Sequence, residues 1–153
     1  MRAVLQRVSQ ASIVINGEPG GKIGAGLVVL LGVMQGDTEA EADVLAEKMM
    51  GLRIFTDEND KMNRSVNDID GSLLVVSNFT LGADCKKGRR PSFDRSAPPA
   101  EAEPLYEYFL RRVRELSPNP VETGKFGADM QLTLTNNGPV TITLDTDFLT
   151  KRK

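Results

Sequence analysis

Apolar and polar positions fall into blocks of distinct period, and each period predicts an element. Residues 2–15 (RAVLQRVSQASIVI) are rich in Val, Ile and Ser and run into Asn16-Gly17, a pair that favours a hairpin turn, so a long strand closing in a turn is expected. Residues 24–34 (GAGLVVLLGVM) are an unbroken apolar run, the pattern of a strand buried on both faces. Thr38 with Glu41 three residues on forms a capping box that opens a helix. Ala42, Leu45, Met49 and Leu52 then recur at helical spacing and leave Glu41, Glu47 and Lys48 for solvent. Residues 53–55 read as a short strand before a polar loop through Asp70, and residues 73–79 as a second apolar strand. The stretch 82–99 is loop-like, rich in charge, Gly and Pro. Pro98 and Pro99 suit the first turn of a helix reaching Leu116, with Leu105, Phe109, Val113 and Leu116 on one face. From Ala128 the alternation is strict, with Met130, Leu132 and Leu134 opposite Asp129, Gln131, Thr133 and Thr135. It resumes at Val140, Ile142 and Leu144 after Asn136-Asn137-Gly138-Pro139, which predicts a final hairpin.

Strands interrupted by two helices indicate an α+β or mixed α/β fold: a mostly antiparallel twisted sheet, or barrel-like sheets, with both helices packed on one side. The chain has 153 residues, 40% hydrophobic and 26% charged, with no internal repeat or linker, so one domain over residues 1–153 is expected. No apolar run approaches the roughly 18 residues of a membrane span, and the opening MRAVLQRVSQ reads at once as strand rather than leader. The single cysteine, Cys85, fits a reducing compartment, and a cytoplasmic protein is expected.

Histidine is absent, which removes Ser-His and Cys-His dyads and leaves no credible zinc ligand set; neither metal nor cofactor is expected. Catalysis must then use hydroxyls, backbone amides, Lys, carboxylates or the substrate itself. The net charge of −2 argues against a polyanion-binding surface overall. Lys86, Lys87, Arg89 and Arg90 nevertheless place four cations in five residues, a local site for phosphate or else a solvated loop. Ser77 and Thr80 lie at a strand end, where hydroxyls either act in chemistry or bond nearby backbone. Cys85 beside Lys86 and Lys87 is either an activated thiolate or a spare cysteine. Gly138-Pro139 is unusual, because Pro removes a ladder donor where a strand should restart.

The blocks MRAVLQRVSQASI, SNFTLGADCKKGRRPSF, APPAEAEPLYEYF, TGKFGADM and NNGPVT, in this order and spacing, resemble the D-aminoacyl-tRNA deacylases of the bacterial and eukaryotic type, nearly end to end. The resemblance implies an enzyme that hydrolyses the ester between a D-amino acid and the 3′ acceptor end of tRNA. It also implies a homodimer in which each Gly138-Pro139, with a cis bond, enters the partner's active site. A cis peptide points two successive carbonyls the same way, so they can hold the substrate α-amino group while an L side chain strikes the backbone. Glycine, having no side chain to clash, is then expected to be hydrolysed too.

The family's SQFTL segment maps to Ser77, Asn78, Phe79 and Thr80, where backbone amides near Phe79 and Thr80 are expected to hold the oxyanion or the water. The terminal ribose 2′-hydroxyl is a further candidate assistant, and a covalent Thr80 is the less favoured route. Arg7 matches a position that supports the Gly-Pro loop, and Met130 one that lines the pocket. Lys86, Lys87, Arg89 and Arg90 are expected on acceptor-stem phosphates. Asn78 departs from the usual Gln by one methylene, about 1.5 Å of reach. The alternatives are a non-catalytic dimeric RNA-binding protein of the same fold, a deacylase with relaxed chirality, and an unrelated enzyme using Cys85.

Overall fold

The computed structural model describes residues 1–149. In chain order its strands are β1 (Arg2–Ile15), β2 (Glu18–Ile23), β3 (Gly26–Gly32), β4 (Phe55–Thr56), β5 (Met62–Arg64), β6 (Ser72–Ser77), β7 (Val121–Thr123) and β8 (Met130–Asp145). Helix α1 (Glu39–Gly51) follows β3, and helix α2 (Pro99–Leu116) follows β6.

β1 organises the sheet. One edge pairs antiparallel with β8 along the whole strand, from Arg2 opposite Asp145 to Ile15 opposite Met130. The other edge is shared, its first half by β3 and its second by β2. The β1–β2 turn is the predicted one, with Asn16 at φ 50 and Gly17 at φ 81, the two positive values a type I′ turn requires. Beyond β3 the sheet continues in parallel through β6 to β7. Each of these parallel steps needs a crossover, which α1 and α2 supply.

Both helices pack on one face. Leu45, Met49, Phe109 and Val113 join Leu27, Val29, Leu31, Leu73 and Val75 in one buried cluster. The opposite face buries Val28, Leu74 and Val76 with Val8, Ala11 and Ile13. β3 therefore serves both cores, which is why its sequence is apolar without alternation. Truncating Leu27 or Leu31 to Ala costs about 2–5 kcal/mol at such sites. β2 curls toward β7, so that a Cβ on Gly21 would meet Glu122 Oε2 at 2.7 Å. The sheet is thus nearly closed and barrel-like, in a mixed α/β fold.

A register shift in β1 sends one strand to two cores. Val8 pairs with Asn136 and Gln10 with Thr135, so β1 carries one extra residue there. Such a bulge reverses side-chain parity. Ala3 and Leu5 consequently enter the helical core, whereas Val8, Ala11 and Ile13 all enter the second one.

Several expectations need correction. Residues 128–144 form no hairpin: β8 is one 16-residue strand. β1 offers it a partner along its full length, and Asn136-Asn137-Gly138-Pro139 is absorbed as a bulge instead of a reversal. The polar loop after Ile54 contains the β4–β5 hairpin, pinned by the Asp57 carboxylate, which accepts from the amides of Asn59 (2.8 Å) and Lys61 (3.0 Å). The Lys61 bond holds the Asp57 carboxyl below its usual value. Phe79 lies outside its predicted strand, in a 3-10 turn. In α2 the buried stripe is Ala102, Tyr106, Phe109, Leu110 and Val113, with Leu105 and Leu116 half-buried at its flanks. The α1 capping box is present as predicted, Thr38 N donating to Glu41 Oε2 at 2.7 Å. Among the described residues no helix is long and apolar enough to cross a membrane.

Candidate active site

Where β6 ends, Asn78 N still donates to Leu31 O at 2.7 Å, and the chain then turns into the 3-10 helix Phe79–Gly82. Asn78 makes that turn locally. Its Oδ1 accepts from the Thr80 amide at 3.2 Å and from the Thr80 hydroxyl, a side-chain cap of the kind Asn favours. The shorter side chain, compared with Gln, therefore folds back on its own turn. Ser96 holds the turn from the other side, its hydroxyl donating to Phe79 O at 2.7 Å. Gly82 is required here because a Cβ would sit 2.1 Å from Ser96 Oγ. The Phe79 ring is left 61% exposed and meets Phe93 edge-on, with centroids 5.1 Å apart.

This turn forms one wall of a cleft of about 580 Å³. Pro98 and Pro99 at the start of α2 form another wall, and Phe126, Gly127, Ala128 and Met130 close it. No lining residue is charged. The only titratable one is Tyr106, whose hydroxyl donates to Val75 O at 3.1 Å and whose pKa burial pushes up to about 12. It stays a neutral phenol across the physiological range. The cleft offers hydroxyls, amides and apolar surface, with no carboxylate or amine to move a proton. Among the described residues no group of three or more His, Cys, Asp or Glu could hold a metal ion.

Of the predicted site residues, Ser77, Asn78, Phe79 and Met130 line the cleft, and Thr80 sits in the adjoining turn. Of the two expected backbone amides, that of Thr80 donates to Asn78 Oδ1 and that of Phe79 donates to no acceptor among the described residues. Arg7, Gly138 and Pro139 lie elsewhere in the chain, at the β8 bulge. Gln6 pairs with Thr141 and Val8 with Asn136, so Arg7 alone faces the four residues 137–140. Its Nε donates to Asn137 O at 2.9 Å, and its Nη1 to Ile54 O at 2.9 Å and Thr56 Oγ1 at 3.2 Å. Asn136 Oδ1 accepts from Val140 N at 3.1 Å and closes the bulge from within. At its tip Gly138 has φ 132, the Gly138–Pro139 peptide is cis, and both residues are exposed.

Lys86, Lys87, Arg89 and Arg90 are exposed on a loop closed by reciprocal backbone bonds between Asp84 and Ser92, of 2.7 and 2.9 Å. None of the four forms an ion pair among the described residues. Cys85 is a free, exposed thiol outside the cleft. Phe93 and Tyr106 belong to the SNFTLGADCKKGRRPSF and APPAEAEPLYEYF blocks, which by themselves assign them no role, and Ser96 lies in none of the blocks. Phe126 belongs to the TGKFGADM block, which by itself assigns it no role.

Residues 4–145 match the D-Tyr-tRNA(Tyr) deacylase family. The chain belongs to that family. A D-aminoacyl-tRNA deacylase of Haemophilus influenzae is 57% identical over 145 residues, covering 95% of this chain and 99% of the relative. One of Geobacter sulfurreducens is 56% identical over 146 residues, covering 95% of each. A solved structure titled c-Myc DNA Unwinding Element Binding Protein superposes with a TM-score of 0.90 at 41% identity, over 95% of this chain and 98% of that one. A probable eukaryotic D-amino acid tRNA deacylase shares the fold, with a TM-score of 0.81 at 20% identity, over 94% and 97%. Membership in the deacylase family makes the chain an enzyme.

Proposed function

We propose that the chain hydrolyses the ester linking a D-amino acid to the 3′ end of tRNA and releases both free, as one deacylase domain spanning residues 1–153. The observation that carries this reading is a cleft with no ionisable side chain except a neutral tyrosine, bordered by the Phe79 amide, which donates to no acceptor among the described residues. Such a site suits a labile ester, for which orientation and one oxyanion donor, typically worth about 10²–10³ in rate, suffice. Ser77, Asn78, Phe79 and Thr80 supply that turn, the Phe79 amide serving the oxyanion or the water. The substrate's own 2′-hydroxyl assists, and the Thr80 hydroxyl, bonded to Asn78, is structural.

Chirality is set by Gly138 and Pro139 of a second copy, entering beside Met130. What supports this is that the Gly138-Pro139 tip is exposed, braced by Arg7 and not among the residues lining its own chain's cleft. With the amino group and ester held, an L side chain meets the wall, a D side chain leaves toward solvent, and glycine is accepted. Lys86, Lys87, Arg89 and Arg90 contact acceptor-stem phosphates. The functional unit is then a cytoplasmic homodimer acting in translation quality control, without cofactor or membrane attachment.

A second reading, nucleic-acid binding without catalysis, draws on the four unpaired cations and on the DNA-binding title of the 41% identical structure. Matched D-Tyr-tRNA and L-Tyr-tRNA separate the two. Rapid loss of the D ester alone supports the proposal, loss of both esters removes the chiral filter, and loss of neither leaves the binding reading.

A further inference from the structure

The Phe79–Thr80 peptide unit is held at both ends. Its carbonyl, Phe79 O, accepts from the Ser96 hydroxyl at 2.7 Å, and its amide, Thr80 N, donates to Asn78 Oδ1 at 3.2 Å. A peptide is planar and rigid, so anchoring both ends blocks its rotation about the chain axis. Rotation of that unit changes ψ of Phe79 and φ of Thr80; with the Asn78 amide bonded to Leu31 O on the other side, fixing it leaves the Phe79 Cα, and the N–H on the Asn78–Phe79 peptide, little freedom to turn. The Asn78 cap is local to the turn. Ser96 comes from a separate segment, seventeen residues along the chain.

The Ser96 segment is itself tied to the chain that follows β3. Ser96 forms a bridge with Met34, its amide donates to Phe93 O at 3.0 Å, and Ala97 N donates to Val33 O at 3.0 Å. The hydroxyl thus transfers the fixed position of the chain beyond β3 onto the turn. Close packing of Gly82 on Ser96 Oγ leaves the hydroxyl little room to swing away.

We infer that Ser96 is a positioning residue for the deacylation: by clamping the Phe79 carbonyl it sets the direction of the Phe79 amide toward the reacting ester. Asn78 and Ser96 are then two halves of one device. This rests on the proposed deacylase reading, and the test keeps the two apart.

The test compares the parent, Ser96→Ala, Asn78→Ala and the double variant on D-Tyr-tRNA and on D-tyrosyl-adenosine, which lacks the acceptor stem. Ser96→Ala is expected to lower kcat about tenfold on both substrates with KM within twofold, a fraction of what a whole oxyanion donor is worth. Because one peptide unit is being held, the double variant should lose little more than the worse single one, whereas independent roles multiply. A kcat within twofold of the parent overturns the inference. So does a loss confined to KM on D-Tyr-tRNA and absent on D-tyrosyl-adenosine, since Ser96 would then act only on binding of the tRNA body. Circular dichroism checks folding; should Ser96→Ala unfold, Ser96→Cys, similar in size with a weak donor, is read by the same criterion. A parent inactive on both substrates refutes the deacylase reading itself, whereas an active parent with an unchanged Ser96→Ala refutes the clamp alone.

Discussion

Arg7→Ala should relax chirality more than it slows hydrolysis of the D ester. Arg7 is the only β1 residue facing the bulge at 137–140, and its guanidinium ties Asn137 O to Ile54 O and Thr56 Oγ1 across 2.9, 2.9 and 3.2 Å. Hydrogen bonds from charged donors are worth about 1.5–3 kcal/mol when shielded and less when exposed. The bonds to Asn137 and Thr56 are exposed and the one to Ile54 is half-buried, so the three together contribute about 2–3 kcal/mol. Without them the wall at Gly138 and Pro139 can retreat before an L side chain for that much less energy. At 1.36 kcal/mol per tenfold in rate, the D-to-L ratio of kcat/KM should fall roughly 30- to 160-fold, mainly through faster cleavage of L-Tyr-tRNA. Arg7→Lys, a point charge without the fork, should fall between. Single-turnover hydrolysis of matched D-Tyr-tRNA and L-Tyr-tRNA measures the ratio, and a thermal melt should show a midpoint lower by about 2–4 °C for each kcal/mol of stability removed. A folded Arg7→Ala protein whose ratio stays within threefold of the parent refutes the bracing argument.

Gly138→Ala should be more damaging than its size implies, because φ is 132 and the new Cβ lies 2.9 Å from Val140 N. Loss of activity with near-parental helix content by circular dichroism is the expected result, and full activity contradicts it. Replacing Lys86, Lys87, Arg89 and Arg90 together by Ala should flatten the salt dependence of tRNA binding, the log-log slope shrinking by about 0.7–0.9 for each phosphate no longer neutralised. An unchanged slope in filter binding from 50 to 300 mM salt, about the range over which such effects show, places the tRNA-binding surface elsewhere. Tyr106 has a folded pKa of about 12, above the roughly 10 of an unfolded tyrosine. Between these values the unfolded chain loses its proton first, so stability present below pH 10 should fall by up to about 2 kcal/mol toward pH 12. Urea titrations at stepped pH should show that extra loss in the parent and lack it in Tyr106→Phe.

The elements legible in the sequence are those whose pattern depends on their own residues. The α1 capping box, the Asn16-Gly17 turn and the two-faced burial of β3 each follow from a local rule, and each is present. β8 defeats such a rule because Asn137-Gly138-Pro139 looks locally like a reversal. Only a partner strand 14 residues long, with Arg7 to catch the slack, turns that signal into a bulge. β5 is invisible to the hydropathy pattern because all three of its residues are exposed, leaving no apolar alternation to read. In the site, the resemblance locates Ser77, Asn78, Phe79 and Met130 at the cleft. Phe93 and Tyr106 reach the same place from blocks that assign them no role, and Ser96 from outside every block.

That division has a physical reason. Every residue except proline carries the same amide and carbonyl, so when the working groups are main-chain atoms an inventory of side chains is nearly silent. The missing histidine agrees with this, since the cleft holds no ionisable side chain except Tyr106 and the donor proposed is the Phe79 amide. What side-chain identity does record is bracing. Arg7 holds the carbonyl of Asn137, Asn78 the amide of Thr80, and Ser96 the carbonyl of Phe79. Each acts one bond or one residue away from the groups proposed to meet substrate. On the proposed reading Asn should serve in place of Gln at position 78, because Asn78 caps the turn and Asn is among the best caps. It should tolerate far less any change that leaves the side-chain chemistry of the cleft intact and frees one of those three main-chain groups.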